Sequence, residues 1–139
     1  MVYPDCINLL LADLKHFSAH LSPGTAGKDV NFACGSFVRY LLIIEDGVVM
    51  SATFSSNGCG YMLTAADTLA DLVTGRELKQ LHGLADRLLH EYVAGRIGAV
   101  PSGRSECIDA CISALRQAFA HFRRARIEEF RGEKALVCT

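Results

Sequence analysis

The sequence predicts a small α+β domain, and three observations carry that reading. Two runs rich in β-branched and aromatic residues, Phe37 to Ile44 and Val48 to Phe54, flank the dipeptide Asp46-Gly47. A two-residue turn of this kind needs positive φ at both positions, so Asp-Gly between strand-like runs is a strong hairpin signal. Upstream of the hairpin, and again from Tyr61 onward, apolar residues recur at helical spacing. Half of the 139 residues are apolar and 21% are charged, and a chain of this size buries roughly two-thirds of the surface its unfolded form exposes. One core suffices, so residues 1–139 are read as a single domain.

Pro4 and Asp5 suit the first turn of a helix, and Ile7, Leu10, Leu11, Leu14, Phe17 and Leu21 follow until Pro23-Gly24 ends the pattern. The polar face of that helix carries Asp5, Asp13 and a single Lys15, which favours packing on the domain's own core over lying on a membrane. In the hairpin, Val48, Met50, Ala52 and Phe54 alternate on one side of the second strand. Leu41 to Ile44 make the first strand apolar on both faces, as expected where helices cover at least one side. Met62, Ala65, Ala66, Leu69, Leu72 and Val73 then mark a helix that stops before Gly75. Leu78, Leu81, Leu84, Leu88 and Leu89 indicate further helix, and Gly95, Gly98 and Pro101 to Gly103 a loop. From Ser105 a last amphipathic helix carries Ile108, Ile112, Leu115, Phe119 and Phe122.

Composition removes several function classes. A net charge of −1 offers no footprint for nucleic acid, and the basic cluster Arg123, Arg124, Arg126 runs into Glu128 and Glu129, the pattern of a solvated helix face. The N-terminus has an acid where a signal peptide needs bases, and no apolar run approaches the ~20 residues that span a bilayer. A cytoplasmic protein without a membrane partner is expected. GxSxG, P-loop and HExxH patterns are missing, so an enzyme of those classes has no support. The histidines His16, His20, His82, His90 and His121 fall in helical segments and receive no role.

Six cysteines in a reducing compartment are mainly thiols, so their placement is the main clue. Cys34 precedes the first hairpin strand, Cys59 ends the loop after the second, and Cys107 opens the last helix. Element boundaries are where side chains converge on a site. Gly35, Gly58 and Gly60 flank the first two and leave room for a bulky ligand. Helix starts favour negative charge, which suits Cys59 and Cys107 as thiolates. Cys111 lies beside the Ile108, Ile112, Leu115 stripe and reads as core, while Cys6 and Cys138 are not placed to converge. A CxxC pair is lacking, so neither a zinc ribbon nor a thioredoxin-type redox site has its spacing.

Three blocks together resemble the U-type iron–sulfur cluster assembly scaffolds, the family of IscU and the amino-terminal domain of NifU. Ala33-Cys34-Gly35-Ser36 resembles the first ligand motif, Cys-Gly-Asp, and Asn57-Gly58-Cys59-Gly60 with the following Ala65-Ala66 helix and Leu72-Val73-Thr74-Gly75-Arg76 resembles the second. Val100-Pro101-Ser102-Gly103-Arg104-Ser105-Glu106-Cys107 aligns with the third, where a Leu-Pro-Pro-Val-Lys-like stretch precedes His-Cys. The match is collinear from about residue 27 to 123. The resemblance implies a three-stranded antiparallel sheet packed on four to five helices, and a transient [2Fe–2S] cluster or its iron held by Cys34, Cys59 and Cys107. It implies a cysteine desulfurase as sulfur source and apo iron–sulfur proteins as acceptors. Two departures stand at the site: Ser36 replaces the family's Asp and Glu106 its His, leaving either as a possible oxygen ligand. Ser102-Gly103 replaces Pro-Val in the stretch that an Hsp70-type chaperone recognises, which argues against chaperone-driven release.

Thiolates suit zinc as well as iron–sulfur clusters, so the ligand set leaves open a structural or interaction module in which these cysteines and Glu106 hold Zn²⁺. A sulfur-relay enzyme with Cys107 as persulfide acceptor is the third reading.

Overall fold

The computed structural model describes residues 3–18, 30–33, 36–98, 100–101 and 104–138, with the backbone only of 30–33 and 124–138. It has an α+β architecture. Helix α1 (Asp5–Ala12) leads to an antiparallel sheet of β1 (Val30–Ala33), β2 (Ser36–Glu45) and β3 (Val48–Ser56), in the order β1-β2-β3. Helices α2 (Gly60–Val73), α3 (Leu78–Leu81), α4 (Asp86–Ile97) and α5 (Ser105–Cys138) follow. Among the described residues, no helix is long and apolar enough to cross a membrane.

The hairpin forms as its turn chemistry dictates, with φ of 53° at Asp46 and 74° at Gly47. Its alternation is broken, however, at Met50. Ile43 pairs with Ser51 and Ile44 with Val49, so Met50 is an extra residue in a bulge and is 56% exposed. The inward set on β3 is therefore Val49, Ala52 and Phe54 rather than Val48, Met50, Ala52 and Phe54. On β2, Val38 and Tyr40 are buried, and Ile43 on the other face is 48% exposed.

Helix α1 is shorter than its apolar period implies. It ends at Ala12, and the chain then extends along the free edge of β3, where Phe54 N donates to His16 O and Ser18 N to Phe54 O. The buried Asp67 carboxylate on α2 accepts from Lys15 N at 3.0 Å and His16 N at 2.8 Å. Two charge-assisted bonds to backbone N–H groups outweigh the helical preference of that stretch. Leu21 and the expected stop at Pro23-Gly24 lie outside the described residues. The other half of the same edge is covered by the chain after α2, where Val49 N donates to Arg76 O and Leu78 N to Gly47 O. Both pairings shield an edge that would otherwise present unpaired backbone groups.

Helix α2 matches the expected span and is buried almost all round, so it is the central helix of the core. Its buried threonines are satisfied within the helix: Thr64 Oγ1 donates to Gly60 O and Thr68 Oγ1 to Thr64 O. Gly75, at φ 84°, follows the C-cap Thr74. The leucine-rich segment after it divides into α3 and α4, and Leu81 and Leu89, one on each, are both buried in the core. Arg116 of α5 holds the junction between them, donating from Nη2 to Leu84 O and pairing with Asp86. Gly95 lies inside α4 rather than in a loop; buried Val93 and Ile97 carry the helix past it to Gly98, whose φ is 81°. On α5, Ile108, Ile112 and Leu115 are buried against the core, as their spacing predicts.

Candidate functional site

Cys59 is the N-cap of α2, and the loop that delivers it is fastened to the start of β2. Ser56 Oγ donates to Phe37 O at 2.6 Å and accepts from Gly58 N at 3.0 Å, while Phe37 N donates to Asn57 Oδ1 at 2.8 Å. Ala33 and Ser36, which flank Cys34 and Gly35 in sequence, are register partners at this end of the sheet. Cys34 itself lies outside the described residues.

The two glycines beside Cys59 serve a different purpose from the one their small size suggests. A Cβ at Gly58 would collide with the Met62 side chain, and one at Gly60 would lie 2.8 Å from Tyr3 Cζ and 3.0 Å from Leu11 Cδ1. The space is occupied by the protein's own side chains rather than kept for a ligand. Gly60 N, at the first turn of α2, donates to the Tyr3 hydroxyl at 2.8 Å, and the Tyr3 ring meets Tyr61 edge-on with centroids 5.5 Å apart. Tyr3 thus clamps the start of α2, a role that no periodicity in the sequence reveals.

Cys107 lies in the first turn of α5, only 1% exposed, and its Sγ is 3.9 Å from Sγ of the half-buried Cys59. Two thiolates on one tetrahedral metal, with metal–sulfur bonds of ≈ 2.3 Å, are about 3.8 Å apart, so this pair already has the spacing of two ligands of a single ion. Cys111 is one turn further along α5, fully buried, and donates from Sγ to Met62 O at 3.5 Å. Burial pushes its thiol well above the ordinary range, and the neighbouring Cys107 and Cys59 add to the shift. It is a neutral core thiol, in keeping with its place beside the apolar stripe.

Glu106 is exposed in the first turn of α5, and Ser36 is half-buried at the start of β2. Cys6 is exposed and points to the end of α4, donating to Ile97 O at 3.4 Å; the side chain of Cys138 lies outside the described residues. Among the described residues, no three His, Cys, Asp or Glu side chains gather to hold an ion by themselves. His16 sits between Ala52 O and Asp71, and His90 pairs with Asp109 at 2.6 Å, so these rings link elements of the fold.

The chain matches the family described as the NifU-like N terminal domain over residues 14–129. It is similar to the "Iron-sulfur cluster assembly scaffold protein IscU" of Thermotoga maritima, 29% identical over 87 residues, which cover 62% of this chain and 61% of that one. It is also similar to the "Nitrogen fixation protein NifU" of Azotobacter chroococcum, 23% identical over 110 residues, covering 78% of this chain and 34% of that one. The match therefore spans less than two-thirds of either relative's length. A crystal structure of the N-terminal part of a NifU-like protein from Brucella abortus superimposes with a TM-score of 0.50 at 19% identity, over 84% of this chain and 94% of that one. A second, of a hypothetical protein, gives 0.54 at 18% identity, over 82% and 96%. These likenesses show a shared fold.

Proposed function

The chain belongs to the NifU-like N-terminal domain family, and from that premise we propose that it is a non-enzymatic scaffold or carrier for iron–sulfur clusters. A [2Fe–2S] cluster, or its iron, is the cargo, and the thiolates of Cys34, Cys59 and Cys107 hold it, with residues 1–139 acting as one domain. The observation that carries this reading is the 3.9 Å separation of the Cys59 and Cys107 sulfurs, drawn from two different helices to metal-ligand spacing. Cys34 completes the set; Ala33 and Ser36, its described neighbours in sequence, pair at the end of the sheet to which the Cys59 loop is fastened. Ser36 or Glu106 supplies an oxygen as fourth ligand. A cysteine desulfurase delivers the sulfur, apo iron–sulfur proteins receive the cluster, and the cytoplasm keeps the thiols reduced.

The same sulfur spacing fits zinc, which makes a zinc-binding structural module the second reading. Anaerobic reconstitution with iron and sulfide separates the two. A red-brown protein with charge-transfer absorption supports the scaffold; a colourless protein holding stoichiometric zinc under the same conditions supports the module. Cys34→Ser, Cys59→Ser and Cys107→Ser are each expected to lose the bound metal, whereas Cys6→Ser and Cys138→Ser retain it. Equal loss from all five variants would sink the assignment of the site.

A further inference from the structure

We propose that Cys59 and Cys107 form a paired oxidative modification site, in which a hydroperoxide oxidises Cys59 and Cys107 resolves the product as an intramolecular disulfide. Three features carry this. The sulfurs are 3.9 Å apart, so a disulfide of ~2 Å needs them to approach by about 2 Å. The two thiols differ in access: Cys59 is half-buried, at the mouth of a loop, while Cys107 is 1% exposed beneath it. An oxidant therefore meets Cys59 first. Finally, the Cys59 backbone is locked by Met62 under Gly58 and by Tyr3 against Gly60, so the pair is held together rather than meeting by chance.

The steps balance with a hydroperoxide as the named oxidant. The Cys59 sulfur attacks the terminal peroxide oxygen and the O–O bond breaks. Two electrons pass from sulfur to oxygen, leaving a sulfenic acid on Cys59 and releasing an alcohol or, from hydrogen peroxide, water. The Cys107 sulfur then attacks the Cys59 sulfur; the S–S bond forms, the S–O bond breaks, and the hydroxyl leaves as water with the Cys107 proton. The disulfide stops the thiols from climbing to irreversible oxides and takes both out of service as metal ligands. That second consequence rests on the proposed cargo site, whereas the disulfide does not.

The test uses the whole metal-free chain, titrated anaerobically with hydrogen peroxide and read by intact mass and peptide mapping. The expected product is a Cys59–Cys107 disulfide, lighter by two hydrogens and reversed by dithiothreitol, in the wild type and in Cys34→Ser alike. In Cys107→Ser, dimedone should capture a sulfenic acid on Cys59; in Cys59→Ser, Cys107 should stay unlabelled. A disulfide from either thiol to Cys34 or Cys111, absence of any disulfide, or dimedone capture on Cys107 overturns the proposal. The wild-type map decides this even if a variant fails to fold. Ferrous iron alone, without sulfide, which would itself cleave the disulfide, is then offered to the oxidised and the re-reduced protein. Uptake only after reduction supports the withdrawal of ligands, and equal uptake by both forms overturns it. If neither form takes up metal although the disulfide has formed, the modification stands and the cargo reading fails.

Discussion

The Cys59 thiol owes its position to atoms that are missing on either side of it. Gly60 gives its Cβ space to the Tyr3 ring and its N–H to the Tyr3 hydroxyl, so a single tyrosine from the start of the chain fixes the start of α2. Gly60→Ala forces the ring aside and is expected to destabilise by about 1–3 kcal/mol, as overpacking does. Tyr3→Ala relieves that clash, so the two substitutions together should cost less than the sum of each alone, by more than ~0.5 kcal/mol in urea unfolding. Additive costs would mean that Tyr3 does not hold this turn. The glycine pattern beside Cys59 is legible in the sequence, but its cause is not, because Tyr3 and Gly60 are far apart in the chain and share no period. Cys111 is legible for the opposite reason: its neighbours Ile108 and Ile112 mark the buried face of a helix, and a thiol on that face packs as an apolar group.

Local signals locate the elements well where nothing distant competes with them. The Asp46-Gly47 turn, α2 and the stripe of α5 appear where spacing puts them. Residues 13 to 18 do not, because their backbone is bid for by Asp67 and by the edge of β3, and neither competitor is visible from that stretch alone. Asp67→Ala removes the acceptor of two backbone N–H groups and is expected to cost about 2–4 kcal/mol. Faster amide exchange at Lys15 and His16, with the exchange of α5 unchanged, is the accompanying sign; a loss of under ~0.5 kcal/mol would show that the edge pairing holds this segment unaided. The β3 bulge gives a second contrast. Simple alternation puts Met50 in the core, where Met50→Lys would be ruinous, yet the bulge exposes it. The substitution should stay within about ±0.5 kcal/mol of wild type, and a large destabilisation would return Met50 to the inward face.

Across the described residues, helices α1, α4 and α5 and strand β3 pack around α2, and the thiol pair lies where α2 and α5 begin. The sequence marks Cys59 and Cys107 as lying at element boundaries, because turns and helix starts are punctuated by Gly and Pro; the packing that sets their distance is non-local and not legible there. The same core buries two groups that must stay neutral. Burial pushes the Tyr40 hydroxyl well above its ordinary 10.0, with Cys111 and Asp67 adding, and the hydroxyl is tied to Ala66 O at 2.8 Å. Burial likewise raises Cys111 well above its ordinary 9.0. Both folded values exceed the unfolded ones, so the folded state keeps protons that the unfolded state loses as pH passes 9.0 and then 10.0. The folded form then binds more protons than the unfolded form, and stability must fall as pH rises, by up to ~1.4 kcal/mol per pH unit for each group. Urea unfolding of the metal-free protein should therefore show this contribution intact at neutral pH and declining above about pH 9. In Cys111→Ala the decline between about pH 9 and 10 should be shallower than in wild type, because only one of the two groups still resists ionisation. Identical slopes for the two proteins would mean that the Cys111 thiol ionises as readily inside the fold as outside it, and that the space beneath the thiol pair is wet rather than part of the core.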